Sequence, residues 1–336
     1  MEAITIKDIA KELNLSTSTV SRAIRGSYEI SDATKKRVLD YAEKVNYRPN
    51  PIALSLRENK TRSIGIIVPE IANNFFSNAI NGAEDIAQKR GYHIMIFQSR
   101  ESSEREKSCL QHVIARKLDG VLLSLSGSTK DYTFFERLLE DKFPMVFFDR
   151  VPEGIKANKV IANNFQGAFE GTEHLIKIGR KRIGHITGPS NLSNSQERLA
   201  GYKAALKKHN LPHNDNLVRF IEFDYSTITE TVKNLIEEEN LDALFTAGER
   251  LTLSCYEAIK SIDVKIPEEI AMVGFTNINV ANLLNPSMTT VSQPAFDLGA
   301  EAVNILIDNI EGKKKNMGYK QLELPTFLEI RTSSNA

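Results

Sequence analysis

The first sixty residues repeat their apolar positions at helical spacing. In TIKDIAKEL, Ile6, Ile9, Ala10 and Leu13 fall on one face, and Thr5 and Asp8 stand three apart as a capping box. After a break at Asn14 and Leu15, the segment LSTSTVSRAIRG predicts a second helix with Ser16 as N-cap. It turns Val20, Ala23 and Ile24 inward and stops at Gly26. A third helix is predicted over about 32–45, capped by Ser31, with Val38, Leu39, Ala42 and Val45 inward. Three short helices with a tight first connection describe a helix-turn-helix bundle; the pattern alone also fits a generic three-helix domain.

After NYRPNP the texture changes. From Ser63 the β-branched runs SIGIIVP, YHIMIFQS, DGVLLSL and PMVFFD alternate with amphipathic segments over about 75–89, 105–116 and 132–140. The rhythm restarts near Asn164 with a helix to about 178, then RIGHITGP, a helix through Arg198, RFIEF, DALFTAG and IAMVGFTN, with helices between. PAFDLGAEAVNILIDNI predicts one more helix, and KQLELPTFLEIR extended segments. Strands alternating with helices make parallel sheets through right-handed crossovers, and two successive sets make two similar lobes. The expected fold is therefore a small all-α helix-turn-helix domain joined to a two-lobed α/β domain with parallel sheets. Ligands of such sheets sit beyond the carboxyl ends of the strands, which points to the cleft between the lobes.

Composition narrows the function. A chain of 336 residues with 41% hydrophobic and 26% charged residues is ordinary globular material, long enough for two or three domains. The net charge of zero hides a split: residues 1–62 carry twelve Lys and Arg against eight Asp and Glu, and the remainder carries the opposite excess. A basic N-terminal module points toward nucleic acid. MEAITIKDIAKEL has no apolar signal region, and no run approaches the roughly 20 apolar residues of a membrane span, so a cytoplasmic protein is expected. Cys109 and Cys255 lack a partner spacing, and histidines such as His174, His185 and His209 are scattered. With no GxSxG, P-loop or GxGxxG, neither an enzyme nor a cofactor or metal is expected.

The outward face of the second helix carries Thr17, Ser18, Ser21, Arg22 and Arg25. Short hydroxyl side chains let a helix approach a groove closely, and Arg supplies the fork that matches guanine O6 and N7. Ser16 and Thr17 at the helix start are placed for a phosphate.

At this point the sequence resembles a known family. IKDIAKELNLSTSTVSRAI is similar to the signature of the lactose/galactose repressor family of bacterial transcription regulators, and GIIVPEIANNFFSNAINGAE, GHITGPSNLSNSQERLAGYKAAL and NPSMTTVSQPAFDLGAEAV resemble its effector domain. The resemblance implies a type I periplasmic-binding-protein architecture with an effector between two lobes. It divides the chain into a headpiece at 1–49, a hinge helix and linker at 50–62, and an effector and dimerisation domain at 63–336. Within the last, lobe one is expected over about 63–163 plus 293–323, and lobe two over about 164–290 plus 324–336. Read alone, NPIALSLRENKTR also fits a linker; in the family it is a helix whose paired leucines wedge open a minor-groove step, and Leu56 stands there. Thr5, Ser31, Thr34, Asn50 and Ala53 complete the expected DNA-binding set.

For the effector, the resemblance implies contacts from Arg198 in ERLAGY, Asp149 in FFDR, Phe75 in NNFF, and Phe223 as an aromatic wall. Two positions depart from the pattern. Thr276 in GFTN stands where many members carry an aspartate, and AGER puts Glu249 where members often have Asn-Asp. The expected function is a homodimeric repressor on a roughly palindromic double-stranded operator, controlled by a small molecule, a sugar or a derivative of one. An activator or co-repressor-dependent regulator of the same architecture, and more distantly a solute-binding protein, are the alternatives.

Overall fold

The computed structural model describes residues 4–24, 26–47, 60–312 and 318–335. The chain forms two compact units, residues 1–61 and 62–336.

The first unit contains α1 (Ile6–Leu13), α2 (Thr17–Ile24) and α3 (Asp32–Lys44). Its core is Ile9, Ala10, Leu13, Val20, Ala23, Val38 and Ala42, with Ile6, Ile24, Ile30, Tyr41 and Tyr47 packed around it. Leu39 is a correction: expected inside, it is 47% exposed. The buried stripe of α3 runs through Val38, Tyr41 and Ala42, an i, i+3, i+4 set, and Leu39 lies about 100° around the helix from Val38. Arg37 Nη2 donates to Leu13 O at 2.7 Å, tying α3 to the last turn of α1.

The second unit is built on two six-stranded sheets. The first is ordered β11-β5-β4-β3-β1-β2 and is parallel throughout. Its strands are β1 (Ser63–Val68), β2 (His93–Gln98), β3 (Gly120–Leu123), β4 (Met145–Phe148), β5 (Asn158–Ala162) and β11 (Gln321–Leu324). The second is ordered β12-β10-β9-β8-β6-β7, with β6 (Ile183–Thr187), β7 (Val218–Phe220), β8 (Ala243–Ala247), β9 (Ala271–Phe275), β10 (Thr289–Ser292) and β12 (Phe327–Glu329). Only β12 runs antiparallel there. Helices cover both faces, which is why β1, β3, β4, β6, β8 and β9 read as nearly continuous apolar runs.

On the first sheet, α4 (Asn74–Lys89) and α11 (Ala295–Ile310) cover one face through Phe76, Ala79, Leu298 and Val303. The other face is covered by α5 (Ser103–Ala115) and α6 (Thr133–Glu140) through Leu110, Val113 and Phe135. On the second sheet, α7 (Asn164–Lys177) and α8 (Ser193–Lys208) pack through Ala168, Leu175, Leu199 and Tyr202. Opposite them lie α9 (Ile228–Glu239) and α10 (Glu249–Ser261), packed through Val232, Leu235, Cys255 and Ile259. The α4–α11 crossing is set by two glycines. A Cβ on Gly82 would lie 1.9 Å from Phe296 O, and one on Gly299 would lie 1.9 Å from Ala79 O.

Three segments carry the chain between sheets: after Ala162 into α7, after Ser292 into α11, and after Leu324 into β12. Strands β5 and β10 are not among the expected runs; NKVIA and TTVS are short and open on polar residues, too little for a period to register. Among the described residues no helix is long and apolar enough to cross a membrane.

Candidate functional site

In the first unit, hydroxyl side chains start all three helices. Thr5 N and Oγ1 donate to Asp8 Oδ2 at 2.8 and 2.7 Å. Ser16 Oγ accepts from Thr19 N at 3.1 Å and bonds Ser18 Oγ at 2.7 Å. Ser31 Oγ accepts from Thr34 N and bonds Thr34 Oγ1 at 2.9 Å. Ser16 Oγ, Ser31 Oγ and the Asp8 carboxylate satisfy backbone donors at the helix starts, so they fix the helices as well as facing outward. Thr17 and Ser18 are exposed on α2, Ser21 is half-buried, and Arg22 is half-exposed and paired with Glu29 at 3.0 Å. Arg25, Asn50, Ala53 and Leu56 lie outside the described residues.

In the second unit, a cavity of about 130 Å³ lies where the carboxyl ends of both sheets meet. Residues that follow β1, β4, β6, β8 and β9 line it: Glu70, Asp149, Gly188, Gly248 and Thr276. All six residues expected at the effector, namely Phe75, Asp149, Arg198, Phe223, Glu249 and Thr276, line this one cavity.

Asp149 takes a left-handed backbone conformation, φ +58°, directly after β4. Asp tolerates that conformation better than most residues. It is 4% exposed, and its Oδ1 accepts from Gln293 Nε2 at 3.3 Å. Burial pushes its carboxyl above the usual carboxylate range, against the pull of Arg150 and Arg198 and of hydrogen bonds from Gln293 and Asn194.

Arg198 projects from the middle of α8 and is 5% exposed. Its Nε donates to Asn164 Oδ1 at 3.0 Å, its Nη1 to Ala247 O at 3.3 Å and its Nη2 to Gln293 Oε1 at 3.3 Å. Burial draws its guanidinium down to about 10, with Asp149 opposing the fall. Gln293 and Asn164 both sit in segments that pass between the sheets, so the buried charges are bonded directly to two of the connections.

Sequence reasoning missed Arg150, although it follows Asp149 in FFDR. Its Nη1 donates to Glu101 Oε1 and Oε2 at 2.9 and 2.8 Å, and its guanidinium lies over Phe76 and Phe223. Sequence reasoning likewise passes over Gln293, Asn194, Tyr225 and Arg250; the signals were SNSQER and AGER, beside recognised residues, and NPSMTTVSQPAFDLGAEAV, which contains Gln293.

Contacts between the lobes close the cleft. Glu249 Oε1 accepts from Asn74 N and Nδ2 at 3.1 and 3.0 Å, capping the start of α4. Arg250 pairs with Glu70, and Asn191 Nδ2 donates to Gly127 O at 2.8 Å. Phe223 lies against Gly127, where a Cβ would come within 1.9 Å of its ring. Thr276 Oγ1 is engaged locally by Ile278 N at 3.2 Å, and a hydroxyl offers one oxygen where a carboxylate would offer two.

Comparison with known proteins places both units. Residues 5–50 match the model of bacterial regulatory proteins of the lacI family, and residues 64–314 match that of the periplasmic binding protein domain. The chain is 31% identical over 310 residues to the HTH-type transcriptional repressor PurR of Aliivibrio salmonicida strain LFI1238, across 92% of this chain and 93% of that one. The structure resembles a transcriptional regulator CelR-cellobiose complex with TM-score 0.74 and 27% identity, over 98% of this chain and 99% of that one. It shares the fold of the lac repressor dimer bound to operator and the anti-inducer ONPF, at TM-score 0.86 and 22% identity over the full length of both. The chain therefore belongs to the lacI family of bacterial regulatory proteins, transcription regulators in which a DNA-binding helix-turn-helix precedes a ligand-binding domain.

Proposed function

We propose that the chain is a homodimeric transcriptional repressor whose operator affinity is set by a small polyhydroxylated molecule bound between the two lobes. It is a regulator in this reading, not an enzyme, and acts in the cytoplasm. Residues 1–49 serve as headpiece, 50–62 as hinge and 63–336 as effector and dimerisation domain. Thr5, Ser16, Thr17, Ser18, Ser21, Arg22, Arg25, Ser31 and Thr34 face the operator, with Asn50, Ala53 and Leu56 acting at the hinge. Arg22 reads bases, while the helix-start hydroxyls and backbone position the phosphates.

The observation that carries the reading is the convergence of buried Asp149 and Arg198 on one cavity between the lobes, both bonded to Gln293. Such groups hold hydroxyls in directed hydrogen bonds, and Phe75 and Phe223 supply apolar walls. A relative named as a transcriptional repressor and a similar structure named as a regulator-cellobiose complex support control by a metabolite. Because Gln293 lies in a connection between the sheets, a ligand that rearranges it biases the lobe angle, and by linkage effector and operator alter each other's affinity equally.

The test is fluorescence anisotropy of the full chain on a palindromic operator, titrated with sugars. A sugar that shifts the operator dissociation constant in wild type and has no effect in Arg198→Ala supports the reading. A shift that survives Arg198→Ala overturns it.

A further inference from the structure

Seven carboxylate and guanidinium side chains line the cavity: Glu70, Glu101, Asp149, Arg150, Arg198, Glu249 and Arg250. Four acids face three arginines. Glu101 is held by Arg150, and Glu70 by Arg250. Asp149 lies 4.0 Å from Arg150 Nε and feels the charge of Arg198. The remaining acid, Glu249, has only neutral donors: Asn74 N and Nδ2 both bond its Oε1 and the Phe75 backbone also supports the carboxylate, while Oε2 is buried with no hydrogen-bond partner. Burial raises its pKa, against the pull of the Asn74 and Phe75 donors, and the charge that acts on it is a second carboxylate, Glu70, which raises it further. A buried carboxylate oxygen without a donor is expensive, and a native site leaves such an atom for a group that arrives later.

The arginines show the converse. Each is matched by carboxylates: Arg150 by Glu101 and by Asp149, 4.0 Å from an Nε that is buried without a hydrogen-bond partner, Arg250 by Glu70, and Arg198 by Asp149 and Glu197. A phosphate or carboxylate on the ligand would reach Arg150 only beside Glu101 and Asp149, and Arg250 only beside Glu70, in a cavity whose acids outnumber its arginines by one. A cation would meet Glu249 Oε2 with nothing to displace.

We infer that the effector is a hydroxylated molecule bearing an ammonium group, of the amino-sugar class, and that Glu249 is the residue that selects it. This rests on the cleft being the effector site, as proposed above. Asp149 and Arg198 hold the hydroxyls, and Glu249 Oε2 accepts from the ammonium in a charge-assisted hydrogen bond. Glu249, a departure from the family pattern, thereby sets the preference of this chain.

The experiment is isothermal titration calorimetry on the full chain with matched pairs: glucosamine and glucose, galactosamine and galactose, mannosamine and mannose, with glucose 6-phosphate as the anionic probe. At least one amino sugar is expected to bind ten or more times tighter than its neutral partner, and glucose 6-phosphate to bind more weakly than glucose. Glu249→Gln keeps an oxygen for Asn74 and removes the charge; it should bring each amino sugar within threefold of its neutral partner. Neutral sugars binding as tightly as their amines, or a preference that survives Glu249→Gln, overturns the inference and leaves the cleft reading intact. Binding unaffected by Arg198→Ala overturns the cleft reading itself, and no binding by any probe counts against both.

Discussion

Arg198 carries its guanidinium carbon 3.9 Å above the centre of the Phe275 ring while donating to Gln293 Oε1. The ring holds the plane of the guanidinium and Gln293 links it to Asp149, so the two buried charges form one unit with two connecting segments. Arg198→Leu removes a charge that offsets the buried Asp149 and leaves Gln293 Oε1 and Asn164 Oδ1 without their donor. Loss of about 3 kcal/mol of stability is expected, read by urea unfolding of the full chain. Asp149→Asn added to Arg198→Leu should restore part of it, because the uncompensated charge is gone; a strictly additive double variant would show that the two do not act as a unit.

The cleft is closed by Phe223 lying on Gly127. Gly127→Val puts side-chain atoms where the ring stands, and the ring is backed by the guanidinium of Arg150 at 5.3 Å. The lobes should then rest apart, with a larger radius of gyration by small-angle scattering and at least tenfold weaker effector binding. An unchanged radius together with unchanged affinity would mean that the ring slides aside.

His185 makes a prediction about pH. It is stacked between Tyr202 and Phe245 at 5.0 and 5.2 Å, and burial holds its imidazole down to about 3. The unfolded chain protonates it near 6.5 and the folded chain does not, so its contribution is intact above pH 6.5 and falls as the pH drops toward 3. Between pH 7.5 and 5.5 this group alone should cost about 1.4 kcal/mol of unfolding free energy. Buried acids such as Asp149 and Glu197 are held above their usual range and act in the opposite direction, so the informative quantity is wild type minus His185→Phe. A difference that stays flat across this range would rule the imidazole out.

How far the sequence leads can be traced residue by residue. The apolar period locates α1, α2 and α3 because each packs one stripe, and it misplaces Leu39 because two adjacent leucine-like positions compete for one face. The runs of β1, β3, β4, β6, β8 and β9 are legible because both faces are covered. Strands β5 and β10, short and polar at their starts, exist through their neighbours in the sheet rather than through their own composition. In the cleft, FFDR and ERLAGY draw attention to Asp149 and Arg198, whereas Gln293 lies in NPSMTTVSQPAFDLGAEAV with nothing to single it out and Asn164 stands in no motif. Their importance comes from lying in the connections between sheets, a property of topology that no local spacing records.

On α2, Arg22 pairs with Glu29 while both side chains stay about half exposed, at 51% and 47%. A pair so exposed contributes at most about 1 kcal/mol to folding, so Arg22→Ala should leave the headpiece folded. Its effect on operator binding should be larger. If Arg22 reads a guanine, the variant loses roughly 5- to 150-fold in specific affinity, corresponding to about 1 to 3 kcal/mol, with the salt slope nearly unchanged. A phosphate contact would instead weaken specific and non-specific DNA alike and flatten the slope of log affinity against log salt by about 1. Glu29→Ala separates the two further: it releases Arg22 from a competing carboxylate, so a base-reading Arg22 should bind operator at least as tightly as in wild type. Anisotropy titrations on operator and scrambled duplexes at three salt concentrations decide between them, and equal losses on both duplexes would remove Arg22 from the base-reading set.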